Sequence, residues 1–222
     1  FVHSARLDNL ASCFAVVNAL LDDDAALEDS EKAHIIALYD NEEVGSRSFS
    51  GAEGSLLNEI IERLLELRPS QANTVSSRSA FTRSSFCIST DAAHAVHPNY
   101  PDKHESRHLP ILNGGIVLKY NASVKYTTQS TSGAMMKKLA RCAGVDIQEF
   151  AGRNDTPCGS TIGPIVSSQT GIESADLGIP LLAMHSIRET CGVADMYDSV
   201  RFFKSFFHSF HHIKNALVDY SE

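Results

Sequence analysis

Tryptophan is absent from this chain of 222 residues, and cysteine, methionine and proline are few, at 5, 4 and 7. The cysteines are Cys13, Cys87, Cys142, Cys158 and Cys191, an odd number with no C-x-x-C pair. That argues against a disulfide framework and for buried thiols in a reducing compartment such as the cytoplasm. Basic charge is short as well: 19 Lys plus Arg face 27 Asp plus Glu, a net charge of −8. Such a balance disfavours nucleic acid as a partner, because phosphate binding needs a basic surface. An acidic substrate stays possible, since one local lysine outweighs a distant, screened field. No run reaches the roughly 20 apolar residues of a membrane helix. The most apolar stretch, ASCFAVVNALL, is broken by Ser12 and Asn18. Repeats and Pro- or Gly-rich linkers are missing too. With 43% hydrophobic and 21% charged residues, disorder and coiled coil are excluded, and the length suffices for a real core.

What is present alternates between helical and strand-like patterns, which points to an α/β fold. Leu10, Phe14, Val17 and Leu21 recur at helical spacing, so 9–21 reads as a helix. An acidic loop is expected from Asp22 to Glu31. His34 to Tyr39 (HIIALY) reads as a buried strand. Ser50 and Glu53 form a capping-box pattern before a helix carrying Leu56, Leu57, Ile60, Ile61, Leu64 and Leu65, which ends before Pro69. Residues 70–85 read as loop or short helix. FCIST (86–90), GIVLKY (115–120) and PLLAM (180–184) read as strands, and 97–113, with three prolines, as irregular. Ser132 is expected to cap a helix ending at Gly144, with Met135, Met136 and Leu139 inward. A last helix, from about Ser199 to Leu217, is expected to bury Val200, Phe203, Phe206, Phe207, Phe210 and Ile213.

The apolar strands share an ending. FVHSARL runs into Asp8, HIIALY into Asp40-Asn41-Glu42-Glu43, FCIST into Asp91, and PLLAM into His185. In open α/β sheets the carboxyl ends of strands form the ligand crevice. Carboxylates gathered there repel one another unless a cation lies between them. Asp, Glu and His donors suit zinc, with manganese or cobalt also possible. Glu42 and Glu43 point to opposite sides in extended backbone, so one can bind metal while the other accepts a proton from water acidified by it. Each residue also has a plainer reading: Asp8 as a helix cap, the glutamates as a solvated turn, Asp91 as a turn residue, His185 as a core histidine. Residue pattern alone goes no further than a carboxylate-rich metal site.

The segments SARLDNLASCF, ALYDNEEVGS, STDAAHAVHPNYPDKHE, RNDTPCGSTIGP and LAMHSIRE resemble those of the aspartyl aminopeptidases, cytosolic exopeptidases with two co-catalytic zinc ions. The resemblance covers nearly the whole chain. It implies a zinc-exopeptidase-like three-layer sandwich, with a mixed, mostly parallel central sheet flanked by helices. It implies that Asp8 bridges two metals, that Glu43 and His185 complete one set and Asp91 belongs to the other, and that Glu42 is the general base. His94, Lys119 and Tyr126 match substrate-contacting positions, with Lys119 a suitable partner for an acidic side chain at the peptide's first residue. The implied reaction is removal of amino-terminal Asp or Glu from peptides, in a homo-oligomer. The family also carries a metal-binding histidine upstream of the bridging aspartate, with a dimerisation insert between them, and neither is found in these 222 residues. The chain therefore reads as the carboxyl-terminal part of one catalytic domain, inactive or nearly so alone.

Other chemistries fare worse. His104-Glu105-Ser106-Arg107-His108 matches the zincin motif H-E-x-x-H, but Pro101 and Pro110 leave no room for the helix it needs. His208, His211 and His212 have metal-clamping spacing yet read as a surface stripe. No serine-nucleophile, nucleotide-binding or cysteine-hydrolase pattern stands out. A different class remains: a non-catalytic assembly piece that completes a site with a missing half.

Overall fold

The computed structural model describes residues 1–22, 32–67 and 75–218. In chain order the elements are β1 (Val2–Ser4), α1 (Leu7–Leu21), α2 (Leu56–Glu66), α3 (Val75–Ser84), β2 (Phe86–Thr90), β3 (Ala93–His94), β4 (Ile116–Tyr120), α4 (Ser130–Ala143), β5 (Ile147–Ala151), α5 (Gly163–Thr170), β6 (Glu173–Gly178), β7 (Pro180–Leu182), β8 (Glu189–Cys191) and α6 (Val193–Val218). The α/β class is as the sequence implies. The strands form two mixed four-stranded sheets, ordered β1-β8-β7-β3 and β2-β6-β4-β5. In the second, β2 runs parallel to β6 and β4 parallel to β5, while β4 and β6 are antiparallel.

Strand alternation separates the two faces of that second sheet. Phe86 and Ile88 of β2, and Ala175 and Leu177 of β6, join the main core with Met135, Met136 and Leu139 of α4 and Phe202, Phe203, Phe207 and Phe210 of α6. Cys87 of β2 belongs instead to a smaller cluster with Ile61 and Leu65 of α2, Phe81 of α3 and Ile172. Helices therefore cover both faces, as a layered α/β fold requires.

Several local expectations change. HIIALY forms no strand: only Ile36 reaches the core and the His34 ring meets Phe207, while Ile35 and Leu38 are exposed. A strand needs a neighbour for its N–H and C=O groups, and among the described residues no strand lies alongside. The Ser50–Glu53 box is absent because Glu53 and Gly54 donate their backbone N–H groups to Ser46 and Gly51. That turn delays the helix to Leu56, where the Ser55 hydroxyl donates to Glu59 instead. In α4 the N-cap is Gln129, and Ser132 closes the reciprocal box from the third helical position. Gly144 ends α4 with φ +63°, as expected.

Helix α1 exists, yet it buries Ala11, Ala15, Val16 and Ala19 and leaves Leu10, Phe14 and Leu21 exposed. Small residues let it lie close against α6. Helix α6 begins six residues before its expected start at Ser199, at Val193, and buries Phe202 fully, a position the apolar pattern passed over. Ser-rich 70–85 resolves into α3 over its described part. The acidic loop beyond Asp22 lies outside the described residues.

Candidate metal centre

Three chain reversals converge at one end of the first sheet. After β1 the backbone turns through Arg6 at φ +57°, and α1 begins with Asp8 and Asn9 out of helical conformation. The Asn9 amide donates 2.7 Å to the carbonyl of Thr90, which tethers this start to the end of β2 beside Asp91. After β7 the chain reverses through Ala183 and His185, both at positive φ. Glu42–Val44 form a single 3-10 turn between Asn41 at φ +61° and Gly45 at φ +96°. Asp91 follows β2, its N–H bonded to Leu177. Gly178 makes that approach possible, since a Cβ there would overlap the Asp91 carbonyl oxygen.

These turns bring Nε2 of His185 within 3.1 Å of Glu43 Oε1 and 3.3 Å of Asp8 Oδ2. Donor atoms of Asp8, Glu43 and His185 all lie within 4.8 Å of one another. The Asp8 carboxyl group is 6% exposed, whereas His185 is 61% exposed, so the cluster opens outward from a buried aspartate. Burial, then the charge and hydrogen bond of Asp91, then those of Glu43, push the Asp8 pKa up to about 8. Crowded carboxylates of this kind fit a divalent cation, which would remove the cost of ionising them together. Asp91 adjoins Asp8 without joining the three-donor group.

Glu42 stands apart from that group. Its pKa rises to about 7 through burial and the charges of Asp91 and Glu43, against the opposing charges of Lys119 and His185. Such a carboxylate can take and return a proton near neutrality. Lys119 is fully buried, at 1% exposed, and is among the largest such side chains of the described residues. Its ammonium donates to Ala92 O at 3.1 Å and Asp91 Oδ2 at 3.3 Å and lies 4.9 Å from the centre of the Tyr126 ring. The Tyr126 hydroxyl accepts a hydrogen bond from the Cys158 thiol at 3.3 Å. Burial, then Cys158, hold that phenol above its ordinary pKa. His94 keeps surface open to solvent. The protein around its ring, then the charges of His104, His185 and Lys119, hold its pKa down.

The rival motifs go elsewhere. In H-E-x-x-H, His104 bonds the carbonyl of His94 and His108 bonds Glu105 at 2.6 Å, with no helix to align them. His208 and His212 are exposed on α6. Sequence reasoning passed over three buried acids: Glu189, Asp176 and Asp195. Asp195 accepts the N–H groups of Asn113 and Gly115. Asp176 accepts from Ser89 Oγ (2.6 Å), Thr161 Oγ1 (2.7 Å) and the Thr127 N–H (2.6 Å), and so braces the loops that carry Tyr126 and Cys158. An acid inside an apolar strand, as in ESADLG, was the available signal, since such groups are buried only with partners.

A buried carboxylate, an open imidazole and a second acid set apart define a metallohydrolase-like site on an α/β scaffold. Residues 1–207 match the family Aminopeptidase I zinc metalloprotease (M18). The chain belongs to that family. It is 45% identical to Aspartyl aminopeptidase 4 of Saccharomyces cerevisiae, over 98% of this chain and 46% of that protein. It is 43% identical to a probable aspartyl aminopeptidase of Ricinus communis, over 98% of this chain and 44% of that protein. Among solved structures it resembles Ape4 in a complex with Nbr1, with TM-score 0.89 and 41% identity, covering 96% of this chain and 40% of that one. It also resembles the S. cerevisiae mApe1 dodecamer, with TM-score 0.84 and 31% identity, covering 97% of this chain and 47% of that one. The chain thus spans less than half the length of these relatives.

Proposed function

We propose that this chain carries the carboxyl-terminal part of a zinc aminopeptidase catalytic domain whose complete form removes amino-terminal Asp or Glu from peptides. The observation that carries the reading is the convergence of Asp8, Glu43 and His185 beside Asp91, with Glu42 apart. Asp8, Glu43 and His185 would hold one zinc ion. A second would share Asp8 and take Asp91, a smaller donor set. Bound there, zinc would supply positive charge that polarises a carbonyl and acidifies water. Glu42 takes a proton from water as the water oxygen bonds to the scissile carbonyl carbon. It returns that proton to the leaving nitrogen as the C–N bond breaks. An ammonium has three donors, and two of those of Lys119 are committed to Ala92 and Asp91. The third would pair with an acidic substrate side chain seated against it, with Tyr126 and His94 beside it.

Two features favour a working unit larger than this chain. The second metal would find two donors among the described residues, and Leu10, Phe14, Ile35 and Leu38 are exposed around the same elements. The proposed working form is a cytoplasmic homo-oligomer, in keeping with the dodecameric relative. The test is calorimetric titration of the 222-residue chain with Zn²⁺. One tight site, lost in His185→Ala and Glu43→Ala, is expected, with little or no turnover of an aspartyl peptide. No zinc binding would overturn the metal site, and brisk turnover would overturn the need for a larger unit.

A further inference from the structure

Glu189 lies on β8, 2% exposed, in register with Ser4 of β1. Its two carboxylate oxygens are both occupied, and by an unusual pair. Oε2 accepts the backbone N–H of Asp8 at 2.9 Å, and Oε1 accepts the backbone N–H of His185 at 2.7 Å. These residues are 177 positions apart in the chain and are two of the three donors in the cluster. One rigid carboxyl group therefore sets the spacing of the two turns that present them.

Neither turn is a resting conformation of the backbone. His185 has φ +67° and Ala183 has φ +57°, a region that costs a non-glycine residue roughly 1–2 kcal/mol. Asp8 departs from helical geometry inside the first turn of α1. A charge-assisted hydrogen bond at each N–H is about twice as strong as a neutral one, and the acceptor, Glu189, is itself shielded from water. No other side chain among the described residues bonds the N–H of both.

We propose that Glu189 is a positioning residue that holds Asp8 and His185 at metal-binding separation and so sets metal affinity. It touches neither metal nor substrate and acts through the backbone of the two donors. This rests on the reading of Asp8, Glu43 and His185 as metal ligands.

The experiment titrates the wild-type chain and Glu189→Gln with Co²⁺ alone, following the visible absorption of the bound ion, and then displaces it with Zn²⁺. The glutamine oxygen can accept only one of the two N–H groups, and its amide nitrogen would face the other as donor against donor. Glu189→Gln is expected to bind Co²⁺ about 10–100-fold more weakly, the usual cost of losing a group behind the ligands, and to shift the absorption bands. Wild-type binding with unchanged affinity and spectrum in the variant overturns the role of Glu189 and leaves the metal site standing. No Co²⁺ binding by the wild type overturns both. Should Glu189→Gln fail to fold, the metal-free wild type decides by amide hydrogen exchange. Slow exchange at both Asp8 and His185 is expected, and exchange as fast as in an open loop overturns the proposal.

Discussion

The ammonium of Lys119 lies 3.3 Å from Oδ2 of Asp91, and the charge of Asp91 in turn helps to raise the pKa of Asp8. A fully buried cation thus stands at the end of a row of acids. The same Nζ lies 4.9 Å from the centre of the Tyr126 ring, so one lysine faces both the proposed metal donors and the proposed substrate pocket.

Replacing that lysine separates the two neighbourhoods. In an active form of the enzyme, Lys119→Met should lower kcat/KM for peptides beginning with Asp at least about tenfold more than for peptides beginning with Ala, a difference of about 1.4 kcal/mol. Parallel kinetics on the two substrates measure it, and equal losses would remove Lys119 from substrate selection.

Glu42→Gln should leave the metal in place and cut turnover about 10²–10⁴-fold, the usual contribution of a general base. Elemental analysis and kcat, measured on one preparation, check both halves. Near-normal turnover would mean that the proton goes elsewhere.

Asp176→Ala strips a buried acceptor from Ser89, Thr127 and Thr161 together. Each abandoned buried donor costs about 1–3 kcal/mol, so a loss of at least about 3 kcal/mol is expected in urea denaturation. Ser89→Ala, which removes only one of the donors, should cost about 1 kcal/mol.

Without metal, stability should fall as the solution becomes more basic. The Asp8 carboxyl group has a folded pKa of about 8 against an ordinary 3.8, so the folded form binds its proton more tightly than the unfolded form. Stability is then greatest below the ordinary value and declines as pH rises through about 8. Glu42, raised to about 7, acts in the same direction. Thermal melts of chelator-treated protein should show this decline, and Asp8→Asn should flatten it.

Much of this was legible in the chain itself. The strand-end positions of Asp8, Asp91 and His185 and the pairing of Glu42 with Glu43 stood out because apolar runs end at charged groups. Met135, Met136, Leu139 and Phe203 announced a core by helical spacing. What stayed hidden depends on partners remote in sequence. HIIALY has a strand's composition, but pairing is decided by a neighbour and not by the segment. Leu10 and Phe14 have a helix's period, which says nothing about which face turns inward when alanines pack more closely. Glu189 and Asp176 gain their meaning from backbone groups many residues away, and no local pattern marks those.

The 3-10 turn that carries Glu42 and Glu43 follows a segment that pairs with no strand among the described residues, while Asp8 and His185 sit just beyond strands β1 and β7 of a hydrogen-bonded sheet. An ion gripped by Glu43 and His185 would act as a rivet between a turn tied mainly to its own neighbours and a sheet-borne frame. Were an ion held there, occupancy and local order would be one equilibrium: filling the site would steady residues 34–46, and loosening those residues would weaken the grip on the ion by the same free energy.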